Sequence, residues 1–174
     1  MLAAWARGRL LDPESGAKEL RQALAACLEQ GNKLFAQQYY GLIAELEAMT
    51  GRADCALASV DAGLALAQDT GERWADPLLL CLKGNILLGR GSGNHALAEE
   101  AFRTAIAVAK QQGSRSFGLR AALSLAKLYQ STGRQAEARA ALAPALKGFS
   151  PTPEMPEIAE AQALLSEVSN PSVG

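Results

Sequence analysis

The sequence predicts an all-helical protein built from stacked helical hairpins, and three observations carry that prediction. Alanine, the strongest helix former, makes up about a fifth of the chain. No stretch alternates Val, Ile, Thr or Tyr with polar residues, as a half-buried strand would. Glycines recur at a fixed period, which indicates a repeat architecture. With 174 residues, 49% of them apolar, the chain is long enough to form one continuous core.

Two interleaved glycine series mark the ends of two alternating kinds of helix, A and B. Both series are spaced by 40 and then 42 residues: Gly31, Gly71 and Gly113, and Gly51, Gly91 and Gly133. Each glycine follows a stretch with helical apolar periodicity. Glycine is common just after a helix because that position often has a left-handed backbone, which costs glycine little.

The glycine positions divide the chain into helices and repeats. The A helices are predicted at 34–50, 74–90 and 117–132, and the B helices at 14–30, 52–70, 94–112 and 134–148. A last helix is predicted at 156–169. The whole chain, 1–174, is then a single domain with repeats at roughly 1–31, 32–71, 72–113 and 114–150 and a capping helix at 155–169.

Start and stop signals fit these boundaries. Asp12 is a good N-cap before Pro13 at the first helical position. Asn94 is predicted to cap its helix in the same way. Pro144 removes a backbone donor inside the last B helix, so we expect a kink or an early end there. The run 150–153, Ser-Pro-Thr-Pro, should separate the last two helices.

The predicted packing residues repeat as well. A small, a large and a small residue recur at i, i+4 and i+7 in the B helices, which places them on one helix face. The four sets are Gly16/Leu20/Ala23, Ala56/Val60/Gly63, Ala98/Phe102/Ala105 and Ala138/Leu142/Ala145. The matching A sets are Tyr40/Ile43/Ala44, Leu80/Lys83/Gly84 and Ala122/Leu125/Ala126, in which Lys83 departs from the apolar pattern.

This pattern of a turn glycine followed by small, large and small residues resembles the tetratricopeptide repeat. The matching runs are Gly51, Ala56, Val60, Gly63 and Gly133, Ala138, Leu142, Ala145. The resemblance implies a right-handed superhelix of antiparallel hairpins, with about eight helices and 40–42-residue repeats. That period exceeds the 34 residues typical of the family, so the B helices should be longer than usual.

A closer resemblance covers nearly the whole chain. Residues 70–74, 101–103, 107–109, 112–126, 133–139 and 142–144 are similar to the C-terminal helical-repeat region of large bacterial signalling proteins. Such proteins carry a class III nucleotide cyclase or a DNA-binding module, followed by an ATPase module. The resemblance implies a non-catalytic, cytoplasmic scaffold for protein–protein interaction. The alternative is a ligand-sensing repeat domain that controls an attached ATPase or cyclase, which a closed pocket among Gln38, Asn85 and Arg120 would favour.

In this architecture the A helices line the inner face, where a protein or peptide partner binds. The family's partner-contacting positions carry over to Gln38, Gly41, Glu45, Ala48, Leu78, Cys81, Asn85, Leu88, Arg120, Leu123, Lys127 and Gln130. The candidate groove residues are Gln38, Glu45, Cys81, Asn85, Arg120, Lys127 and Gln130. Arg120 and Lys127 are seven residues apart, so they share a face and are predicted to hold an acidic partner.

No residue pattern in the sequence strongly predicts catalysis. No enzyme activity, metal or cofactor is therefore predicted. The single histidine, His95, has only Glu99 at i+4 as a nearby partner, and a first-turn surface residue is the simpler interpretation. The glycine-rich run 89–93 follows a helix and lacks the lysine of a phosphate loop. A hydrolase would need a converging polar triad, which the sequence does not show. The cysteines lack Cys-x-x-Cys spacing.

Charge and hydropathy narrow the partners. The net charge is −1 with no basic block, which argues against nucleic acid. No apolar run is long enough to span a bilayer. Three cysteines suit a reducing cytoplasm, with Cys27 predicted to be buried and Cys81 on the inner face. Residues 1–11 look like a helix without its partners, so we expect either a piece of a longer protein or self-association through an uncapped N-terminal end.

Overall fold

The computed structural model describes residues 1–152 and 155–169, and this part of the chain is all helical with no strand. It contains nine α-helices: α1 (Leu2–Leu10), α2 (Pro13–Glu29), α3 (Ala36–Met49), α4 (Ala53–Thr70), α5 (Asp76–Gly89), α6 (His95–Gln112), α7 (Arg115–Ser131), α8 (Gln135–Leu146) and α9 (Pro156–Ser169). The sequence analysis expects about eight helices. The described residues form nine, because Leu2–Leu10 is the separate helix α1. Of the predicted breaker 150–153, Pro153 lies outside the described residues.

The turn glycines lie where the sequence places them. All six have a positive φ, between 68° and 106°. This left-handed backbone favours glycine because it has no Cβ. The two extra residues of the middle repeat are absorbed by a short 3-10 turn at Ser92–Asn94, directly before α6.

Three local predictions have different outcomes. Asp12 does cap α2, since its Oδ1 accepts from the backbone N–H groups of Glu14 and Ser15. Asn94 lies at the N-cap of α6 but makes no capping side-chain hydrogen bond, because it still belongs to the preceding 3-10 turn. α8 continues for two residues past Pro144 and ends at Leu146, earlier than the predicted 148.

The helices form two layers. Each odd-numbered helix contacts the next odd-numbered helix along the chain, from α1 through α9. Within the described residues, the backbones of the even-numbered α-helices pack against odd-numbered α-helices and not against one another, although Arg21 of α2 donates a hydrogen bond to the Ser59 hydroxyl of α4 at 2.9 Å. The A helices of the sequence therefore form one continuous layer, and the B helices lie on its outer side.

The predicted B-helix face is the packing face. Val60, Phe102, Leu142 and Leu20 are all fully buried. Their small flanking residues permit close approach: a Cβ added to Gly84 of α5 would lie 2.4 Å from the Phe102 ring. Burying such large side chains is the main favourable term in folding.

Polar ties join successive hairpins at the edges of this core. Glu47 of α3 is buried, accepting from Arg21 Nη2 of α2 at 2.5 Å and from the Ser59 hydroxyl of α4 at 2.8 Å. Lys83, which breaks the apolar pattern of α5, binds Asp61 of α4 at 2.8 Å. Its charge is therefore directed to the neighbouring helix and does not disturb the register of α5.

A third tie surrounds Tyr129 of α7. Its hydroxyl donates to Glu99 of α6 at 2.9 Å and accepts from Arg103 Nη2 at 2.8 Å. Arg134 lies over the Tyr129 ring and donates to Glu99 at 2.6 Å. The hydrogen bond from Arg134 is the main reason that the pKa of Glu99 lies below the usual range of a glutamate.

We expect Gly84→Ala to destabilise the fold by roughly 1–3 kcal/mol, because the added methyl group overpacks the Phe102 ring. Gly89→Ala in the same helix is the control, since a Cβ there meets nothing within 4 Å. It should be neutral or slightly stabilising. Urea unfolding measures both free energies. Equal stability of the two variants would contradict close packing at Gly84.

We expect stability to fall in acid partly through Glu99. Because the pKa of Glu99 is lowered by folding, its contribution is complete above about pH 4.3, the usual glutamate pKa, and is lost as pH falls through the lowered value. Arg134→Gln should lower the free energy of unfolding near neutral pH and make it less dependent on pH in acid. Arg139→Gln, at an exposed arginine of α8, should keep the wild-type pH dependence. The idea fails if both variants share one pH profile in urea unfolding.

Candidate functional site

A groove of about 650 Å³ runs across the layer of odd-numbered helices. Side chains from α1, α3, α5, α7 and α9 line it. It is a groove partly open to solvent and not an enclosed chamber. Its position follows from the two-layer packing, which turns one face of every A helix away from the B helices.

The structure brings most of the sequence-predicted positions together in this groove. The predicted residues that line it are Gln38, Gly41, Glu45, Leu78, Cys81, Asn85, Arg120, Leu123 and Lys127. Whether they bind a partner stays a prediction. Ala48 lines an adjoining depression, and Leu88 packs against the core. Gln130 does not line the groove, because its side-chain amide donates to Glu167 of α9 at 2.9 Å.

The groove floor is largely apolar. Leu78 and Leu82 of α5 are half-buried there, beside Leu123 of α7. Gly41 of α3 permits a close approach of α3 and α5 beside the groove, because a Cβ at this position would lie 3.0 Å from the buried Leu79. An apolar floor with polar walls is typical of sites that bind peptides or small molecules.

One wall is formed by α1 and α3. The sequence reasoning predicted Glu45 of α3 but missed Trp5 and Arg9 of α1. The Trp5 indole Nε1 donates to Glu45 Oε2 at 3.0 Å, and Arg9 forms an ion pair with Glu45. The Arg9 guanidinium also lies 5.7 Å from the Trp5 ring centroid. No spacing rule links Trp5 to Glu45, which is forty residues away, so only the docking of α1 on α3 brings them together.

On the opposite wall, Arg120 and Lys127 of α7 are paired within the chain, and whether they also hold an acidic partner stays a prediction. Arg120 Nη2 lies 2.8 Å from Glu157 Oε1, and Lys127 Nζ lies 2.7 Å from Glu160 Oε1. Both carboxylates belong to α9. Their i, i+3 spacing on the terminal helix is visible in the sequence, but matching it to the cations of α7 requires the docked position of α9.

Cys81 lies on the groove floor at the centre of the face. It is 7% exposed, and its Sγ lies 3.8 Å from Ser124 Oγ and 4.0 Å from Asn85 Nδ2. Burial raises the pKa of the Cys81 thiol. Cys55 is exposed, and Cys27 is half-buried although the sequence predicts a buried position, because it lies on the last turn of α2 at the edge of the stack.

The other candidate sites stay dispersed. His95 is half-buried at the first position of α6, and Glu99 contacts Tyr129, Arg103 and Arg134. Among residues 1–152 and 155–169, no group of His, Cys, Asp and Glu side chains has a metal-binding arrangement. The helices in the same range include none with the length and hydropathy to cross a membrane.

Helix α1 packs against α2 and α3, whereas the sequence analysis expects a helix without its partners. Apolar side chains of residues 1–11 are nevertheless exposed. Leu2, Leu10 and Leu11 are 60%, 81% and 82% exposed. Self-association through this surface stays a prediction, and a clean monomer at micromolar concentration by sedimentation would contradict it.

Comparison with known proteins adds no further constraint on this site. The chain matches no protein-family model and no curated protein sequence.

We expect the three cysteines to react with iodoacetamide in the order of their exposure: Cys55 fastest, then Cys27, then Cys81. Burial shields the Cys81 sulfur from the reagent and raises the pKa of its thiol. Little thiolate therefore forms at about pH 8. Mass spectrometry of timed samples measures each rate. The chain unfolded in urea is the control, and there the three rates should converge. Equal labelling of Cys81 and Cys55 in the folded chain would contradict the buried position.

Proposed function

We propose that this chain is a non-catalytic protein-interaction module that holds a peptide or protein segment in the groove of the odd-numbered helices. The observation that carries the proposal is the convergence of five helices on one groove with an apolar floor and polar walls. Partners bind well where apolar surface is buried at the centre and polar groups form the rim.

The charge of the groove supports a protein partner. Its three cations, Arg9, Arg120 and Lys127, are each paired with a glutamate. Because each cation is neutralised by a glutamate, the groove does not select a highly charged polymer. Its polar walls do offer hydrogen bonds to a peptide that lies between the walls.

The repeat period and turn geometry support the finer fold and context that we propose. The 40–42-residue glycine period, with a left-handed backbone at each turn, suits a tetratricopeptide-like right-handed superhelix. On the sequence resemblance, such a module is the regulatory repeat region of a cytoplasmic bacterial signalling protein. This part of the proposal rests on the sequence and would be tested by the neighbouring coding sequence.

A ligand-sensing repeat domain, controlling an attached ATPase or cyclase, is the second candidate. Gln38, Asn85 and Arg120 do line one groove, but this groove is not the closed pocket that would favour the ligand-sensing candidate. We rank it second because small-molecule sites enclose most of their ligand, whereas this groove stays open along its length.

We expect a Leu78→Arg variant to lose binding to peptides selected on the wild-type chain. Random linear peptides displayed on phage would be selected on the immobilised protein, and the enriched peptides synthesised. A charge on the apolar floor should weaken their affinity by about tenfold or more, because a central apolar contact is replaced by a desolvated cation. Fluorescence anisotropy measures the affinities.

Leu97→Arg is the matched control. Leu97 is 54% exposed on α6 and does not line the groove, so this variant should bind as the wild type does. Reversing the charge of the α7 wall with the double variant Arg120→Glu and Lys127→Glu should also weaken binding. The groove assignment is wrong if peptides bind the Leu78→Arg chain undiminished while its circular dichroism shows a folded protein.

A further inference from the structure

The starts of α3 and α5 are joined by Gln37, a buried residue that lies outside the groove lining. Gln37 is only 3% exposed. Its amide nitrogen donates to Asp76 Oδ1 at 2.5 Å, and its amide oxygen accepts from the backbone N–H of Ala75 at 3.2 Å. One side chain of α3 therefore holds two consecutive residues at the start of α5. We call this pair of hydrogen bonds the Gln37 bridge.

Hydrogen bonds continue from the Gln37 bridge to α6. Asp76 is 2% exposed, and its second oxygen accepts from Arg73 Nε at 2.8 Å. The backbone carbonyl of Arg73 accepts in turn from the Gln112 side chain of α6 at 2.8 Å. Buried amides and carboxylates are costly unless their polar atoms are paired. This series of bonds pairs them, and it holds the turn before α5 from both sides.

The Gln37 bridge is not a general feature of the repeat. Counted from the preceding turn glycines, the positions of Gln37 and Asp76 correspond to Pro77 and Gly118 at the junction of α5 with α7. Neither of those residues has a polar side chain, yet α5 and α7 still pack together. Close packing of neighbouring odd-numbered helices therefore does not require a buried polar bridge, and the bridge between α3 and α5 has a local role.

The residue before α3 also indicates a tightly held junction. Phe35 has a φ of 58°, and in the described part of the chain it is the only non-glycine residue with a left-handed backbone. That conformation is unfavourable for a residue with a Cβ, and it persists where the surrounding structure holds it. The Phe35 ring packs edge-on against Trp74, with ring centroids 5.9 Å apart. The turn before α5 therefore contacts the start of α3 both through this exposed ring pair and through the buried Gln37.

The groove crosses this junction directly beside the bridge. Gln38, next to Gln37, lines the groove from α3, and Leu78, two residues after Asp76, lines it from α5. A slip of α3 along α5 would break both bonds of the bridge and would move Gln38 relative to Leu78. We propose that Gln37 is a positioning residue of the groove: it sets the offset between α3 and α5, and so holds the groove in the shape that receives its occupant. This inference rests on the proposed function of the groove.

Gln37→Met tests the inference, because it keeps the length of the side chain and removes both hydrogen bonds. Peptides selected on the wild-type chain should bind this variant about tenfold more weakly, since a loosened groove must be ordered on binding. Cys81 on the groove floor should also react faster with iodoacetamide, whereas the exposed Cys55 of α4 should react at its wild-type rate. Ser59→Ala is the matched control. It also removes two hydrogen bonds of a buried side chain, but outside the groove, so its binding and labelling should match the wild type.

A reversed pair separates positioning from a general loss of stability. Gln37→Glu alone places a second carboxylate against Asp76 and should weaken binding as Gln37→Met does. Adding Asp76→Asn restores a carboxylate opposite an amide, with the donor now on α5. This double variant should recover the wild-type affinity and the slow labelling of Cys81. Fluorescence anisotropy and mass spectrometry measure the two readouts, and circular dichroism checks that each chain is folded.

The positioning role is overturned by wild-type affinity and labelling in a folded Gln37→Met chain, or by a folded double variant that recovers neither. If Gln37→Met does not fold, the comparison of Gln37→Glu with the double variant decides. The proposed function survives a negative result if Leu78→Arg still abolishes binding. If no peptide is enriched on the wild-type chain, the proposed function fails, and the labelling of Cys81 still decides whether Gln37 shapes the groove.

Discussion

The Phe102 ring fills the space directly above Gly84, where a Cβ would lie 2.4 Å from the ring. The same relation recurs at Gly63, where a Cβ would lie 2.9 Å from Leu79. Gly16 of α2 instead meets another glycine, because a Cβ there would lie 2.5 Å from the Cα of Gly8 in α1. Small residues opposite large ones hold the two layers at close range, where interior packing is dense and intolerant of added volume. This close approach of the outer layer leaves the opposite face of each odd-numbered helix to form the groove.

The steric fit is similar from one hairpin to the next, whereas the polar ties differ and give each hairpin its own neighbour contacts. Ten residues before successive turn glycines stand Arg21, Asp61 and Arg103, and each contacts a different group on a neighbouring odd-numbered helix: Glu47, Lys83 and Tyr129. Exchanging two hairpins would bury Glu47 without its arginine, which is costly. In the described part of the chain every buried polar side-chain atom has a hydrogen-bond partner, as a specified packing requires.

Local chemistry explains what the sequence predicts well. The turn glycines, the Asp12 cap and the helix faces depend on residues within one helix or one turn, so spacing is enough to place them. Two features needed the docked arrangement instead. Trp5 meets Glu45 because α1 packs on α3, and Glu157 meets Arg120 because α9 packs on α7. Periodicity identifies the face that lines the groove, but not which charges on that face neutralise one another.

Helix α9 shows how stability and recognition are linked in this fold. Its apolar side, with Ile158, Ala161, Leu164 and Val168 buried, closes the end of the core. Its acidic side supplies Glu157 and Glu160 to the groove wall. One rigid helix therefore fixes both the last hairpin and the electrostatics of the site.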